Sequence, residues 1–261
     1  MSLRALLLNL LPKVLVSRAT GCAASLPLPR SVRAPFYRWF ARRYGADLDQ
    51  LLAPLDSFRS LQAFFQRELR SEARPIATTP LVWPCDGRIV TTGPVRAGRI
   101  EQVKGHDYAL ADLLADGDAA AAFANGTQAT VYLAPGDYHR VHAPFDLLVE
   151  RVVAVPGTLF PVNPPAVACI RDLFARNSRH VFHCRLQDGR RAAVVMVGAF
   201  NVGGTSVTAG AGQHLGRGGE LGRFGFGSTA IAVVAGGGPG FETLLPSTRV
   251  WMGAAAQSRP S

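Results

Sequence analysis

The sequence predicts an α+β fold: a mainly antiparallel β core with short helices, preceded by N-terminal helices. Three observations carry this. Up to about residue 70, large apolar residues recur at helical spacing. From Pro75 and Pro80 onward, glycine and proline punctuate short runs rich in β-branched residues. At 261 residues and 48% hydrophobic, the chain is long and apolar enough to bury a substantial core.

Leu3, Leu6, Leu7, Leu10 and Val14 form one stripe, which predicts a short amphipathic helix broken near Pro12. Pro35 is expected to open a second helix carrying Phe36, Trp39, Phe40 and Arg43. Ser57 is expected to cap a third, with Phe58, Leu61, Phe64, Phe65 and Leu69 on its buried side. Strands are predicted at residues 88–92, 100–104, 128–133, 147–155, 180–186, 192–197 and 228–234. Short helices are predicted at 109–115, 119–124 and 166–173. The glycine-rich stretch 203–227 reads as a loop, and Gly236-Gly-Gly-Pro-Gly240 as a turn after the last strand. Gly210-Ala-Gly212 is not a dinucleotide fingerprint, because the next glycine is displaced to Gly216 and no βαβ unit surrounds it. The chain divides into an N-terminal helical, membrane-associating region (1–70), a β-rich core (71–252) and a tail (253–261) expected to be disordered.

The net charge of +10 and isoelectric point near 10.3 call for an anionic partner. No acidic residue precedes Asp47, while Arg4, Lys13, Arg18, Arg30, Arg33, Arg38, Arg42 and Arg43 are basic. They alternate with Leu6, Leu7, Leu10, Val14, Phe36, Tyr37, Trp39 and Phe40, a mixture suited to an anionic membrane surface. No RNA-binding signature accompanies the charge, so nucleic acid is not the expected partner. Arg4, Asn9 and Pro12-Lys13 interrupt the N-terminal leucines, so no run reaches the roughly 20 apolar residues of a spanning helix. Lys13 and Arg18 also disagree with a signal peptide. The expectation is an in-plane, peripheral anchor. Cys22, Cys85, Cys169 and Cys184 are widely spaced, which points to reduced thiols and the cytoplasmic side of the cell membrane. Cys85 reads as a small core filler.

The chemistry concentrates in Arg217-Gly-Gly-Glu220-Leu-Gly-Arg-Phe224-Gly-Phe-Gly227-Ser228-Thr229, on the lip of the apolar run 230–234. A serine there is placed to attack the carbonyl before it, and Gly227 has no side chain to shield that carbonyl. Alone, Gly-Ser-Thr is a turn. Serine needs a base, and among the six histidines only His139 and His142 sit in a motif dense with other reactive or rigid groups, Ala134-Pro-Gly-Asp-Tyr138-His139-Arg-Val-His142-Ala-Pro144. His139 and His142 could be half a metal site, but no second Cys/His pair at ligand spacing completes it, so no metal is expected. Asp86-Gly87, taken alone, is a turn dipeptide.

Together these segments resemble the phosphatidylserine decarboxylase proenzymes of prokaryotic type. The likeness extends through Pro84-Cys-Asp86-Gly87-Arg-Ile89, Val103-Lys-Gly-His106-Asp-Tyr108-Ala-Leu110, Val155-Pro-Gly-Thr-Leu-Phe160-Pro-Val-Asn163 and Leu173-Phe-Ala-Arg-Asn177, in the family's order and over most of the chain. The resemblance implies self-cleavage between Gly227 and Ser228, with His142 as the base and Asp86 as the carboxylate orienting it. It implies that Ser228 becomes a covalent pyruvoyl group, which takes the amine of phosphatidylserine as a Schiff base and drains electrons as CO2 leaves. His139 would return the proton to carbon. The product would be phosphatidylethanolamine, made for phospholipid synthesis by a heterodimer of chains 1–227 and 228–261, with further dimerisation left open. Phe226 and Arg88 depart from residues common in the family, and the segment between Val202 and Gly216 is shorter than in longer relatives. A decarboxylase of an ether-linked lipid, or a β-domain that no longer processes itself, stays open as an alternative.

Overall fold

The computed structural model describes residues 13–103, 105–200, 204–225 and 228–257. The stripe expected from Leu3 to Leu10 and the cleavage residue Gly227 lie outside the described residues. The chain enters through helices α1 (Lys13–Ser25) and α2 (Arg30–Tyr44), with the short α3 (Leu61–Phe65) after them.

Two details of this region differ from the sequence expectation. Pro35 lies inside α2, which begins just after Pro29. Proline's fixed φ is compatible with a helix, and the cost is one missing N–H donor. The cap of α3 is Ser60, whose hydroxyl accepts from the Ala63 N–H at 3.2 Å, while Ser57 ends a 3₁₀ turn and donates to the Pro54 carbonyl. Tyr37, Phe40, Phe58, Phe64 and Phe65 pack into one buried cluster, with the Tyr37 and Phe64 rings stacked 4.6 Å apart. The Tyr37 hydroxyl donates to the Phe58 carbonyl at 3.0 Å, so this buried polar tip is satisfied.

The β region runs β1 (Gly87–Pro94), β2 (Arg99–Val103), β3 (His106–Ala109), α4 (Leu110–Leu114), α5 (Gly117–Ala121), β4 (Thr127–Leu133), β5 (Arg140–His142), β6 (Leu147–Val155), α6 (Pro164–Cys169), α7 (Leu173–Arg176), β7 (Arg179–Leu186), β8 (Arg191–Val197), β9 (Thr205–Val207), β10 (His214–Leu215), β11 (Glu220–Phe224), β12 (Ser228–Val234) and β13 (Arg249–Val250). Among the described residues, eight strands form one sheet in the order β10-β6-β7-β8-β12-β4-β1-β13. Every pairing in it is antiparallel. A small sheet β5-β11-β9 and a hairpin β2-β3 complete the set.

The central strands are buried on both faces, which explains their unbroken apolar runs. In β12, Ala230, Ala232 and Val234 join Val141, Leu221 and Phe224 from the small sheet, while Ile231 and Val233 join Leu113, Leu173 and Phe174 from the helical side. All seven expected strands are present, and β6 and β12 have the expected bounds. The expected helix at 166–173 is two pieces, α6 and α7, separated by Asp172 in a left-handed conformation. Among the described residues, β3, β5 and β13 were not expected because they are too short to show alternation, and β9, β10 and β11 correct the expectation of a loop over 203–227, where glycines interrupt the pattern. The tail needs correction too: residues 253–256 are tied in rather than disordered. Trp83 N–H donates to Ala254 O, Ala256 N–H donates to Leu81 O, and Ala256 is fully buried. Backbone pairing, which composition does not reveal, holds this segment in place. Residues 258–261 lie outside the described ones.

Candidate active site

Two chain crossings build the site. β4 ends at Leu133, turns through Ala134–Asp137 and re-enters as β5; β11 leaves the small sheet and re-enters the large one as β12. Ser228, the first residue of β12, pairs with Leu133, the last of β4. The His139 carbonyl accepts from the Phe224 N–H at 2.9 Å. Both crossings therefore meet where Ser228 begins. Asp137 closes its turn twice, through its N–H to the Ala134 carbonyl and through its carboxylate, which accepts from the Ala134 N–H at 2.7 Å. At Gly136 a Cβ would collide with the Tyr44 carbonyl, so only glycine lets the end of α2 approach this turn.

Ser228 is fully buried, and among the described residues its hydroxyl has no hydrogen-bond partner; the same holds for the Thr229 hydroxyl. Buried polar atoms are nearly always paired, and Ser228 Oγ stands out among the unpaired ones because it lies where the two crossings meet. His139 is also fully buried. Its Nδ1 lies 2.8 Å from the Asp137 carbonyl, which can only accept, so Nδ1 carries the proton. Nε2 then holds a lone pair, and it too has no partner. Burial and the nearby Arg67 charge push the His139 pKa down to about 3, so the ring is neutral at physiological pH. Phe65 packs on it with ring centroids 4.7 Å apart.

His142 presents the opposite picture, with both nitrogens occupied. Nδ1 donates to the Gly218 carbonyl at 2.8 Å, and Nε2 accepts from the Tyr138 hydroxyl at 3.2 Å. Burial lowers its pKa, against the carbonyl bond to Gly218 and the charges of Glu220 and Asp86. Gly218, at φ 81°, turns the β10–β11 connection so that this carbonyl faces the ring. Burial pushes the Tyr138 hydroxyl up to about 12, so it stays a donor.

Asp86 is buried at the start of β1 but makes no hydrogen bond to His142. One oxygen accepts from Arg74 Nε at 2.8 Å and from the Met252 N–H at 2.9 Å, and the other pairs with the second arm of Arg74. The link between the two segments is instead through the backbone, His142 N–H to the Pro84 carbonyl at 2.8 Å. The structure thus gathers Ser228, His139 and His142 around one pair of crossings and sets Asp86 beside them in an arginine's grip. Burial and the neighbouring Asp86 carboxylate drive the Cys85 thiol well above its ordinary pKa, which suits a core filler. Among the described residues, no three His, Cys, Asp or Glu side chains gather as a metal-binding group.

Several residues in the site carried no role in the sequence reading. Arg67 donates to the Gly136 and Asp137 carbonyls at 2.8 and 2.9 Å and so supports the turn before His139. Arg140 bridges Glu68 and Glu220, joining the N-terminal region to β11. Tyr138 was legible only as part of the histidine motif. Arg67, Arg74 and Arg140 carried no signal in the sequence, because nothing in their spacing shows that they would be drawn in from the surface.

Known proteins resemble this chain over most of its length. A family model described as phosphatidylserine decarboxylase matches residues 61–256. A phosphatidylserine decarboxylase proenzyme from Anaeromyxobacter sp. (strain K) is 42% identical over 268 residues, covering 94% of each chain. Proenzymes of the same name from Pseudomonas fluorescens SBW25 and Pseudomonas aeruginosa PAO1 are 40% and 42% identical, each spanning 86% of this chain.

Proposed function

The chain belongs to the phosphatidylserine decarboxylase family, and we propose that it is a self-processing decarboxylase that converts phosphatidylserine to phosphatidylethanolamine through Ser228. The observation that carries this reading is the pair of partnerless, buried reactive atoms, Ser228 Oγ and His139 Nε2, on the two crossings that meet at β12.

In processing, Ser228 Oγ attacks the Gly227 carbonyl while its proton passes to a histidine, and the peptide bond becomes an ester. Loss of the proton on the Ser228 α-carbon then expels the Gly227 carboxylate, ending the large fragment at 227. The dehydroalanine left at position 228 adds water and loses ammonia, which leaves a pyruvoyl group. We assign the base role to His142, neutral because it is buried. Its Nε2 is occupied by the Tyr138 hydroxyl at 3.2 Å and has to exchange that bond for one to Ser228. Asp86 contributes through its negative charge, which favours the imidazolium, rather than through a direct bond.

The pyruvoyl group supplies an electrophilic carbonyl that accepts the electron pair freed with CO2. The buried corner at Ser228 fits such a group, since it leaves a polar atom of that residue unpaired and excludes water. His139, whose Nε2 lone pair is unpartnered among the described residues, is assigned the return of a proton to the α-carbon once the ring has itself taken one up. A low pKa suits that return step, because the protonated ring is a strong acid.

β12 lies between β4 and β8 in the large sheet, so fragments 1–227 and 228–261 remain one heterodimer after cleavage. For the membrane we rely on the outer face of α2, where Arg38, Arg42, Arg43 and Trp39 are exposed above the aromatic cluster. Two other basic residues are engaged elsewhere: Arg30 pairs with Asp56, and Arg33 donates to the Leu28 and Asp56 carbonyls. Among the described residues no helix is long and apolar enough to cross a membrane.

Intact mass of purified protein tests the reading. Wild type should give two fragments, the smaller lacking a free N-terminal amine, and Ser228→Ala should stay one inactive chain. A wild-type chain that is active while whole overturns it.

A further inference from the structure

We propose that residues 249–256, the strap that follows the last turn, are a positioning element of the active site, acting through Trp251 and two arginines. The proposal rests on cleavage at Ser228, because cleavage would place the strap on the small fragment while the groups it holds are on the large one.

The Trp251 ring lies 4.7 Å from the Arg74 guanidinium carbon and 4.2 Å from that of Arg249. Two cations against one indole repel each other unless each has its own anion. Each does: Arg74 pairs with buried Asp86, and Arg249 pairs with buried Asp137 at 2.7 Å. The strap also reaches Asp86 directly through the Met252 N–H. Its backbone is fixed by the register of β13 on β1, Gly87 opposite Val250 and Arg88 opposite Arg249, and by the bonds from Gly253 N–H to Trp83 O and from Trp83 N–H to Ala254 O.

The two ion pairs have different consequences. Arg249 holds the carboxylate that closes the Ala134–Asp137 turn, and the carbonyl of the same aspartate fixes the His139 tautomer. Arg249 therefore positions His139 through Asp137, while Arg74 and Met252 position Asp86. Trp251 couples the two. A half-exposed tryptophan in a glycine- and alanine-rich tail is otherwise an unexplained expense of apolar surface.

The test uses the full chain and measures splitting rate, kcat of the processed protein and its pH profile, and Tm. Arg249→Met should still split but lose about tenfold or more in kcat, as expected for a displaced proton-transfer group. Its acidic limb should move to higher pH, since an uncompensated Asp137 carboxylate favours the protonated His139 ring. Arg249→Lys should recover most of the rate. Trp251→Ala should slow both splitting and decarboxylation, and Trp251→Phe should do so less. If Arg249→Met does not fold, Arg249→Gln takes its place, and a pH profile identical to wild type in that charge-removing variant overturns the proposal. So do wild-type kinetics in Arg249→Met, or equal losses of splitting, kcat and Tm with an unmoved pH profile. A wild-type chain that never splits overturns the functional reading and the strap's role with it.

Discussion

The large sheet and the N-terminal aromatic cluster are cores of different kinds. The sheet is aliphatic, buried on both faces and closed over by helices on one side and strands on the other. The cluster is aromatic and one-sided: Tyr37 and Phe40 of α2 face inward onto Phe64 of α3, while Val32, Trp39 and Tyr44 of α2 face outward. By position the cluster looks like an appendage for surface contact. Yet Phe65 touches His139, Arg67 holds the turn before it, and Arg140 ties β5 back to Glu68 and the Gln66 carbonyl. The difference teaches that the helical region is both an outer face and one wall of the site. A chain deleted through residue 45 would lose the Tyr44–Gly136 approach, so it should process poorly as well as bind membranes poorly.

The largest expected effect is that of Phe65→Ala. Truncating a buried phenylalanine costs about 3–5 kcal/mol, which urea denaturation would read. Decarboxylation should fall with it because the ring walls His139. Stability loss with full activity would separate the two regions. Next comes Arg67→Met, which leaves the Gly136 and Asp137 carbonyls without their donor at a cost of about 1–3 kcal/mol. It also removes a positive charge that holds the His139 pKa down, so that pKa should rise from about 3, as followed by NMR titration. An unmoved titration would mean that burial alone sets it.

A smaller effect is the pH dependence of stability. His139 and His142 both have pKa values below the ordinary 6.5 in the folded protein. Between the unfolded and folded values the unfolded chain binds more protons, so stability falls as pH drops below about 6.5 and is fully present above it. His139→Gln should flatten that slope in denaturation series at pH 7, 6 and 5. The smallest change in stability should come from Trp39→Ser, within about 0.5 kcal/mol for an exposed residue. Sedimentation with anionic vesicles should nonetheless show weaker binding. Equal binding by wild type and variant would leave the outer face without a membrane role.

The sequence alone determined the longer strands of the large sheet and which residues are candidates for the chemistry. The apolar run after Gly227 and the β-branched run at 147–155 are as long as strands and shorter than helices, and β12 and β6 have the bounds those runs implied. Ser228, His139 and His142 were legible because their motifs are local: each reactive group sits within a few residues of the glycine or proline that shapes it. Tertiary structure alone decided which groups those residues meet. The Asp86 carboxylate belongs to Arg74 and the Met252 N–H rather than to His142; the Gly218 carbonyl, not a carboxylate, takes His142 Nδ1, and the Tyr138 hydroxyl, not Ser228, faces Nε2. The tail is pinned to residues 81–83. These contacts join positions far apart in the chain through directional hydrogen bonds. Their geometry depends on how the crossings of β4–β5 and β11–β12 stack, and residue spacing carries no record of that.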